Sequence, residues 1–279
     1  MKPKFHCIDS ENFRFKGEMV CAFTYKNYEI SPHDHDFYEM NIVLSGEGIH
    51  KLGDASIKVC AGDVFVIPPG MVHAYEQCNK LDVFHILIRR KFIEQNKNET
   101  QSVKGFVQLM EIEPFVRGNL SKKIFVHLSP ASLLNLKRDL EFIEELYYRN
   151  EKEFEPLKQH TTWKILYYLS DFMYRQIHET DKKTNNENTI MEILEYMHTC
   201  YGDKITVDTL CEKFFISRSS LMRKFNSICK SSPMEYLMGC RKKAAMELID
   251  NGVLSKTEIA HICGFYDLSH MKKIIKKED

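Results

Sequence analysis

The sequence predicts an α+β chain of several domains: a β-barrel in front, a helical segment in the middle, and an all-α domain with two helix-turn-helix units behind. Three observations predict it. Up to about residue 128, polar and apolar residues alternate in short runs punctuated by Gly and Pro, the mark of short strands joined by tight turns. From about 130 to 178 the apolar residues recur at steps of three and four, which is helical period. From Ile190 onward the chain reads as helices, and this last part contains two similar helix–turn–helix halves.

Composition bounds the rest. The 279 residues leave room for two domains, each with its own core. Thirty-nine basic and thirty-nine acidic residues give a formal net charge of zero. That argues against a disordered tail or a generic polyanion binder. It leaves room for a specific DNA binder, because only one face must meet phosphate. The nine cysteines include no Cys-x-x-Cys pair, which excludes a zinc ribbon or a thioredoxin motif. An odd number without framework spacing reads as the reduced thiols of a cytoplasmic protein. The start, Met1-Lys2-Pro3-Lys4-Phe5-His6, has no apolar run of the signal-peptide kind. No stretch approaches the roughly 18 apolar residues of a membrane span, so no membrane partner is expected.

The front domain is assigned to residues 1–128. Its most informative run is His33-Asp34-His35-Asp36-Phe37-Tyr38-Glu39, with Gly46 seven places after Glu39. On a strand, residues of equal parity share a face, so His33, His35, Glu39 and Asn41 point one way, into a lumen. Met40, Ile42 and Leu44 take the other face and need a cover, for which helices are the candidates. Gly62, five residues, Pro68-Pro69-Gly70, two residues and His73 follow. The Pro-Pro-Gly turn brings His73 back on a neighbouring strand, and alternation adds Tyr75 and His85 as lining candidates. These two stretches resemble the paired motifs of the cupin superfamily at every ligand position, with Gln77 where the second motif usually has Asn. The resemblance implies a divalent transition metal held by His33, His35, Glu39 and His73, a donor set suited to such ions. It equally implies a lumen in which His33, His35, Glu39, Asn41, His73 and Tyr75 orient a small organic effector.

Residues 129–180 are assigned to central helices. Ser129-Pro130 opens the first as N-cap and first-turn proline, and Leu133, Leu136, Leu140, Ile143 and Tyr147 form a seam. A second helix, about 157–178, has Trp163, Tyr167, Ser170, Tyr174 and Ile177 at the same spacing. Such seams suit either packing within the chain or a homodimer interface. Residues 181–189, polar throughout, read as an exposed linker.

Residues 190–279 form the back domain. Thr206 caps a helix through Phe214, and after a turn Ser217 caps a second one. Leu221 and Phe225 take its inner face, which leaves Arg218, Ser219, Met222 and Arg223 outward, as a recognition helix requires. A connector from Ser232-Pro233 to Asn251-Gly252, about 27 Å long at 1.5 Å per residue, leads to the second unit. That unit opens on Ser255-Lys256-Thr257-Glu258, a capping box. Asp267 then caps a helix with Met271 and Ile275 inward and Ser269, His270, Lys272 and Lys273 outward.

Two stretches are similar to the signature of AraC-type regulators. One is Ser217…Leu221…Arg223-Lys224-Phe225, then Ser232-Pro233…Tyr236-Leu237…Arg241…Ala244. The other runs from Ile259-Ala260 to Gly264-Phe265-Tyr266-Asp267-Leu268-Ser269. With the barrel motifs the resemblance covers almost the whole chain. It implies a regulator that binds double-stranded DNA in response to a small molecule and acts as a homodimer, with RNA polymerase as a further candidate partner. It places groove contacts at Ser219, Met222 and Arg223, and at Leu268, Ser269, His270 and Lys273. Arg223 is the best base reader, since Arg suits guanine O6 and N7; Arg241 is assigned to structure. Three departures stand out. Lys230 replaces the Gly that usually ends the first recognition helix. His270-Met271 and Ile275 replace aromatic residues. The chain stops at Asp279, where the family continues into a final helix. The alternatives are a metal-dependent cupin enzyme and a regulator weakened at its end; no other catalytic arrangement is visible.

Overall fold

The computed structural model describes residues 6–7, 12–52, 55–96, 100, 102–120, 125–178 and 185–276. The chain divides into two units, residues 1–180 and 181–279.

The first unit is built on β1 (His6–Cys7), β2 (Val20–Tyr25), β3 (Ile30–Asp34), β4 (Tyr38–Leu52), β5 (Ala55–Cys60), β6 (Asp63–Ile67), β7 (His73–Ile88) and β8 (Val126–His127). They form one sheet in the order β1-β3-β7-β4-β6-β8, with β2 on β7 and β5 on β4. Pairing is antiparallel except between β1 and β3. The long strands β4 and β7 run together from Tyr38↔Ile88 to Leu52↔His73, with register shifts between Val43 and Ile49. Such irregularities bend and twist a strand pair, and here they wrap the sheet into a cupin-like barrel. Inside it lie Tyr28, Val43, Phe65, Ile67, Tyr75 and Val83.

Met40, Ile42, Val64, Val66 and Ile86, on the other face, are wholly buried. Their cover is helical, as the sequence requires. It comprises α1 (Arg90–Glu94), a π-helical turn (Gln108–Ile112) running into α2 (Glu113–Leu120), α3 (Pro130–Arg149), a 3-10 turn (Lys152–Phe154) and α4 (Glu155–His178). The π turn and α2 pack on β6, while α3 and α4 pack on β2. The strand reading of residues up to 128 is therefore corrected over 90–94 and 108–120. Phe92, Leu109, Met110, Ile112 and Val116 there are buried, and short apolar runs do not distinguish helix from strand by period alone.

The first central seam takes the within-chain alternative, and the second needs correction. Leu136, Leu140, Ile143 and Tyr147 are buried within this chain, in a helix packed on β2, so that seam is not left for a second copy. The buried face of α4 is Ile165, Leu166, Leu169, Ser170, Met173 and Ile177. Trp163 is half-buried and stacks on Phe92 with ring centroids 4.5 Å apart, while Tyr167 is exposed. Aromatic residues at the rim of the helix had shifted the apparent stripe. A fully buried charge cluster holds α4 to the barrel: the Lys158 ammonium pairs with Glu18, lies 2.8 Å from Glu155, and donates to the Val20 carbonyl at 3.2 Å.

The second unit contains α5 (Asn185–Thr199), α6 (Val207–Lys213), α7 (Arg218–Cys229), α8 (Pro233–Asn251), α9 (Lys256–Ile262) and α10 (Leu268–Ile275). Helix α5 begins inside the stretch 181–189 assigned to a linker; residues 181–184 and Lys277 lie outside the described residues. A helix can open on polar residues because its apolar positions, here Ile190, Ile193, Leu194 and Met197, need start only a turn later. Capping explains the boundaries that follow. Thr206, Ser232 and Ser255 each form a capping box, Pro233 opens α8, and Gly252 closes it with φ 67°. Leu221 and Phe225 of α7 are fully buried, and Met271 of α10 belongs to a cluster with Ala244, Ala245, Ile259, Cys263 and Phe265. Both α7 and α10 pack on α8, whose 19 residues span about 28 Å. Arg241 on α8 donates to the carbonyls of Tyr201 and Asp203, each at 2.8 Å, a structural tie. Lys230 itself takes the left-handed conformation that a glycine would otherwise supply, with φ 54°.

Candidate effector pocket and nucleic-acid interface

The barrel's polar residues meet because the ladder places them opposite one another: His33 pairs with His73, and Asn41 with His85. Backbone carbonyls then orient the imidazoles. Nδ1 of His33 donates to Ser31 O at 2.9 Å, that of His35 to Phe37 O at 2.7 Å, and that of His73 to Met71 O at 3.2 Å. With its proton on Nδ1, the ring of His33 and that of His73 each keep a lone pair on Nε2. His85 Nδ1 donates to Glu39 Oε1 at 3.0 Å. Glu39 Oε2 lies 3.2 Å from His35 Nε2 and 3.8 Å from His73 Nε2. Nε2 of His73 and of His85 are buried with no hydrogen-bond partner among the described residues.

Electrostatics separates the roles of these groups. Burial pushes the Glu39 carboxyl up, but hydrogen bonds from His35 and His85 outweigh it and hold the group well below the usual carboxylate range. Burial drives His73 down to about 3 and lowers His33 as well. The result is a buried carboxylate beside His33 and His73, whose rings burial keeps neutral, each with a lone pair on Nε2. Ligand atoms of His33, Glu39 and His73 lie within 4.8 Å of one another, so the donor set fits a divalent transition metal. His35 is outside that trio and reaches it through Glu39.

Above this floor is a cavity of about 370 Å³, lined by Phe23, Tyr25, Tyr28, Phe37, His33, His35, Glu39 and His85 among others. Three residues expected to line an effector site do not line this cavity: Asn41, His73 and Tyr75. Asn41 Nδ2 donates to the Tyr75 hydroxyl at 2.9 Å, and both residues are fully buried. Tyr75 also stacks on His50 with centroids 4.7 Å apart. Alternation assigned them to the inward face, but not to a depth along the barrel. The aromatic wall was not visible in the sequence, because Phe23, Tyr25 and Tyr28 come from β2 and the loop after it. Arg117 of α2 was missed too. It is fully buried, with Nη1 3.1 Å from His50 Nδ1, Nε 2.8 Å from Glu113, and its guanidinium 4.7 Å from the Phe65 ring centre.

In the second unit the two outward faces differ. Ser217 accepts from Ser220 N–H to start α7, leaving Arg218, Ser219, Met222 and Arg223 exposed. Arg218 sits 3.0 Å from Asp208, both well exposed; such a pair is weak enough to exchange for phosphate. Asp267 accepts from His270 N–H at 2.7 Å to start α10. Here Ser269, Lys272 and Lys273 are exposed, but Leu268 and His270 are half-buried. Leu268 packs on the Met271 cluster. His270 accepts from Tyr266 N–H at 3.4 Å and meets Phe265 edge-on. His270, expected to face outward, is half-buried, with its ring folded back on its own turn.

Comparison with known proteins finds one family match in each unit. Residues 16–146 match the family of the AraC-like ligand binding domain, and residues 210–278 match a helix-turn-helix domain family. The HTH-type transcriptional activator RhaS of Pectobacterium carotovorum subsp. carotovorum (strain PC1) is 24% identical over 247 residues, 88% of this chain and 83% of that protein. RhaS of Escherichia coli O1:K1 / APEC is 24% identical over 246 residues, with the same coverage. Among solved structures, ToxT from Vibrio cholerae aligns over 92% of this chain and 94% of its own at 13% identity, with a TM-score of 0.35, too low to support any argument from its details.

Proposed function

This chain is an AraC-type regulator, a cupin-like sensing domain followed by a helix-turn-helix domain, and from that premise we propose how its sites divide the work. A small polar molecule enters the cavity walled by Phe23, Tyr25, Tyr28 and Phe37 and is oriented by Glu39, His33, His35 and His85. Its occupancy sets the affinity of the second unit for duplex DNA. Arg218, Ser219, Met222 and Arg223 enter one groove, and Arg223 reads a base. Ser269, Lys272 and Lys273 serve the other, with Leu268 and His270 shaping the approach. The single observation that supports this reading most is the exposed, twice-arginine face of α7, set on a fully buried Leu221 and Phe225.

The regulator works from the cytoplasm as a homodimer and addresses RNA polymerase; it performs no turnover. The test is selection of bound sequences from a random duplex pool, followed by anisotropy titrations of the winner at rising salt. Affinity is expected to exceed that for random DNA and to fall steeply with salt as Lys and Arg displace phosphate counterions. If no sequence outcompetes random DNA at moderate salt, the reading fails. Small molecules that shift the selected affinity then identify the effector, and Glu39→Gln should abolish the shift.

A second reading is favoured by one observation, the convergence of His33, Glu39 and His73. A metal there, with His35 as a further ligand, would supply a Lewis acid at the cavity floor. Elemental analysis of the purified protein decides occupancy. Substrate turnover that depends on the metal would be needed to make this chain an enzyme.

A further inference from the structure

A second group of metal-binding side chains lies away from the cavity. Cys60 ends β5, Asp63 begins β6, and His127 lies on β8, paired directly across from Asp63. A thiol, a carboxylate and an imidazole thus meet at one turn, with ligand atoms within 4.8 Å of one another. None of the three lines the barrel cavity. Along β6, Asp63 is four residues from Ile67, the partner of Glu39, a separation of about 13 Å at strand rise.

The turn holds this arrangement in place. Asp63 Oδ2 accepts from Cys60 N–H at 2.8 Å, and Oδ1 lies 2.7 Å from His127 Nδ1. Gly62 has φ 92°, and a Cβ there would stand 2.4 Å from the Leu128 carbonyl oxygen and 3.3 Å from His127 Cε1. Only glycine allows the β8 chain so close. Leu128 N–H in turn donates to Gly62 O at 2.8 Å. The Asp63 carboxylate is wholly buried, while the His127 side chain is 57% exposed, so one side of the trio is open to water.

We infer that Cys60, Asp63 and His127 form a binding site for Zn²⁺. Thiolate, imidazole and carboxylate are the ligands zinc takes, and three protein ligands with an open position leave room for a water as the fourth. The ion would fasten β8, and with it the Ser129 cap of α3, to the β5–β6 turn. On binding, the Cys60 thiol releases its proton to solvent and the His127 ring turns a nitrogen lone pair to the metal, exchanging its bond to Asp63 for one through the ion. Nothing is oxidised.

Cobalt tests the site directly. The full chain, stripped with a chelator, is titrated with Co²⁺. One equivalent is expected to raise a sulfur-to-cobalt charge-transfer band in the near ultraviolet, with the visible bands of a four-coordinate ion. The cavity cluster of His33, Glu39 and His73 contains no sulfur, so cobalt there gives no such band. Cys60→Ser and His127→Gln should each abolish it, Glu39→Gln should retain it, and added Zn²⁺ should bleach it. In the unsubstituted chain, Zn²⁺ should also slow alkylation of Cys60, read by peptide mass mapping, which guards against a variant that folds poorly. Absence of the band, its survival in either variant, or unprotected Cys60 overturns the site and leaves Asp63 and His127 as a hydrogen-bonded pin.

Discussion

The barrel interior and the outer faces of the helix-turn-helix units handle polar groups in opposite ways. In the barrel, Glu39 and four imidazoles are buried together, and each group is held by a partner. On α7 and α10 the charged side chains stand in solvent, and buried apolar residues beneath them hold their positions. The contrast teaches where stability and function separate. A buried polar group that loses its partner costs the fold. An exposed arginine that is removed costs only what it would have touched.

Lys158 should give the largest effect on the buried side. Lys158→Ala leaves the Glu18 and Glu155 carboxylates buried without the cation that pairs with both, and should destabilise the first unit by about 3–5 kcal/mol in chemical denaturation. Lys137, exposed and 3.5 Å from Glu141, is the control; Lys137→Ala should stay within about 0.5 kcal/mol. Equal losses would erase the contrast. Next comes Arg223→Ala, expected to weaken binding at a single base-pair position by about 1–3 kcal/mol without moving the melting temperature. A uniform loss across sequences would make Arg223 a phosphate contact instead.

The third prediction uses pH. Burial drives His73 from its ordinary 6.5 down to about 3, and pushes His33 and His50 down too. A lowered folded-state value favours the neutral ring, so this stability is present above pH 6.5 and is lost as pH falls from there toward 3. For His73 the loss is about 1.4 kcal/mol per pH unit within that window. Stability of the first unit should therefore fall between pH 7 and pH 5, and His73→Gln should flatten the slope. A slope unchanged by that substitution would show that His73 titrates freely. The smallest effect belongs to Lys230, at φ 54°. Lys230→Gly should stabilise the second unit by roughly 1 kcal/mol, because glycine adopts that conformation without Cβ strain. An unchanged or lower melting temperature would mean that the lysine side chain compensates.

Much of the fold was legible because its signals are local. Ser129-Pro130, Ser232-Pro233, Ser255…Glu258 and Asp267 mark helix starts through bonds made within one turn, and the structure places helices there. The pairing of Leu221 with Phe225 needs only helical spacing. The candidate site was half legible: parity put His33, His35 and Glu39 on one face, and all three line the cavity. Residues 90–94 and 108–120, and residues 185–189, were misread for complementary reasons. The first carry apolar runs too short to show a period, and the second are polar but belong to the opening turn of a helix.

By itself, the sequence determined the caps, the periods, the parity of the strand residues and the order of the two units, because each depends on residues a few positions apart. Only the tertiary structure decided how deep each polar group sits. Register between β4 and β7 separates the cavity-lining His85 from the buried Tyr75. The docking of α2 brings Arg117 against His50, and β8 carries His127 to Asp63. Those juxtapositions join residues that are 64 to 67 positions apart in the last two cases, and no local pattern in a chain encodes a distance between strands that meet only after it has folded.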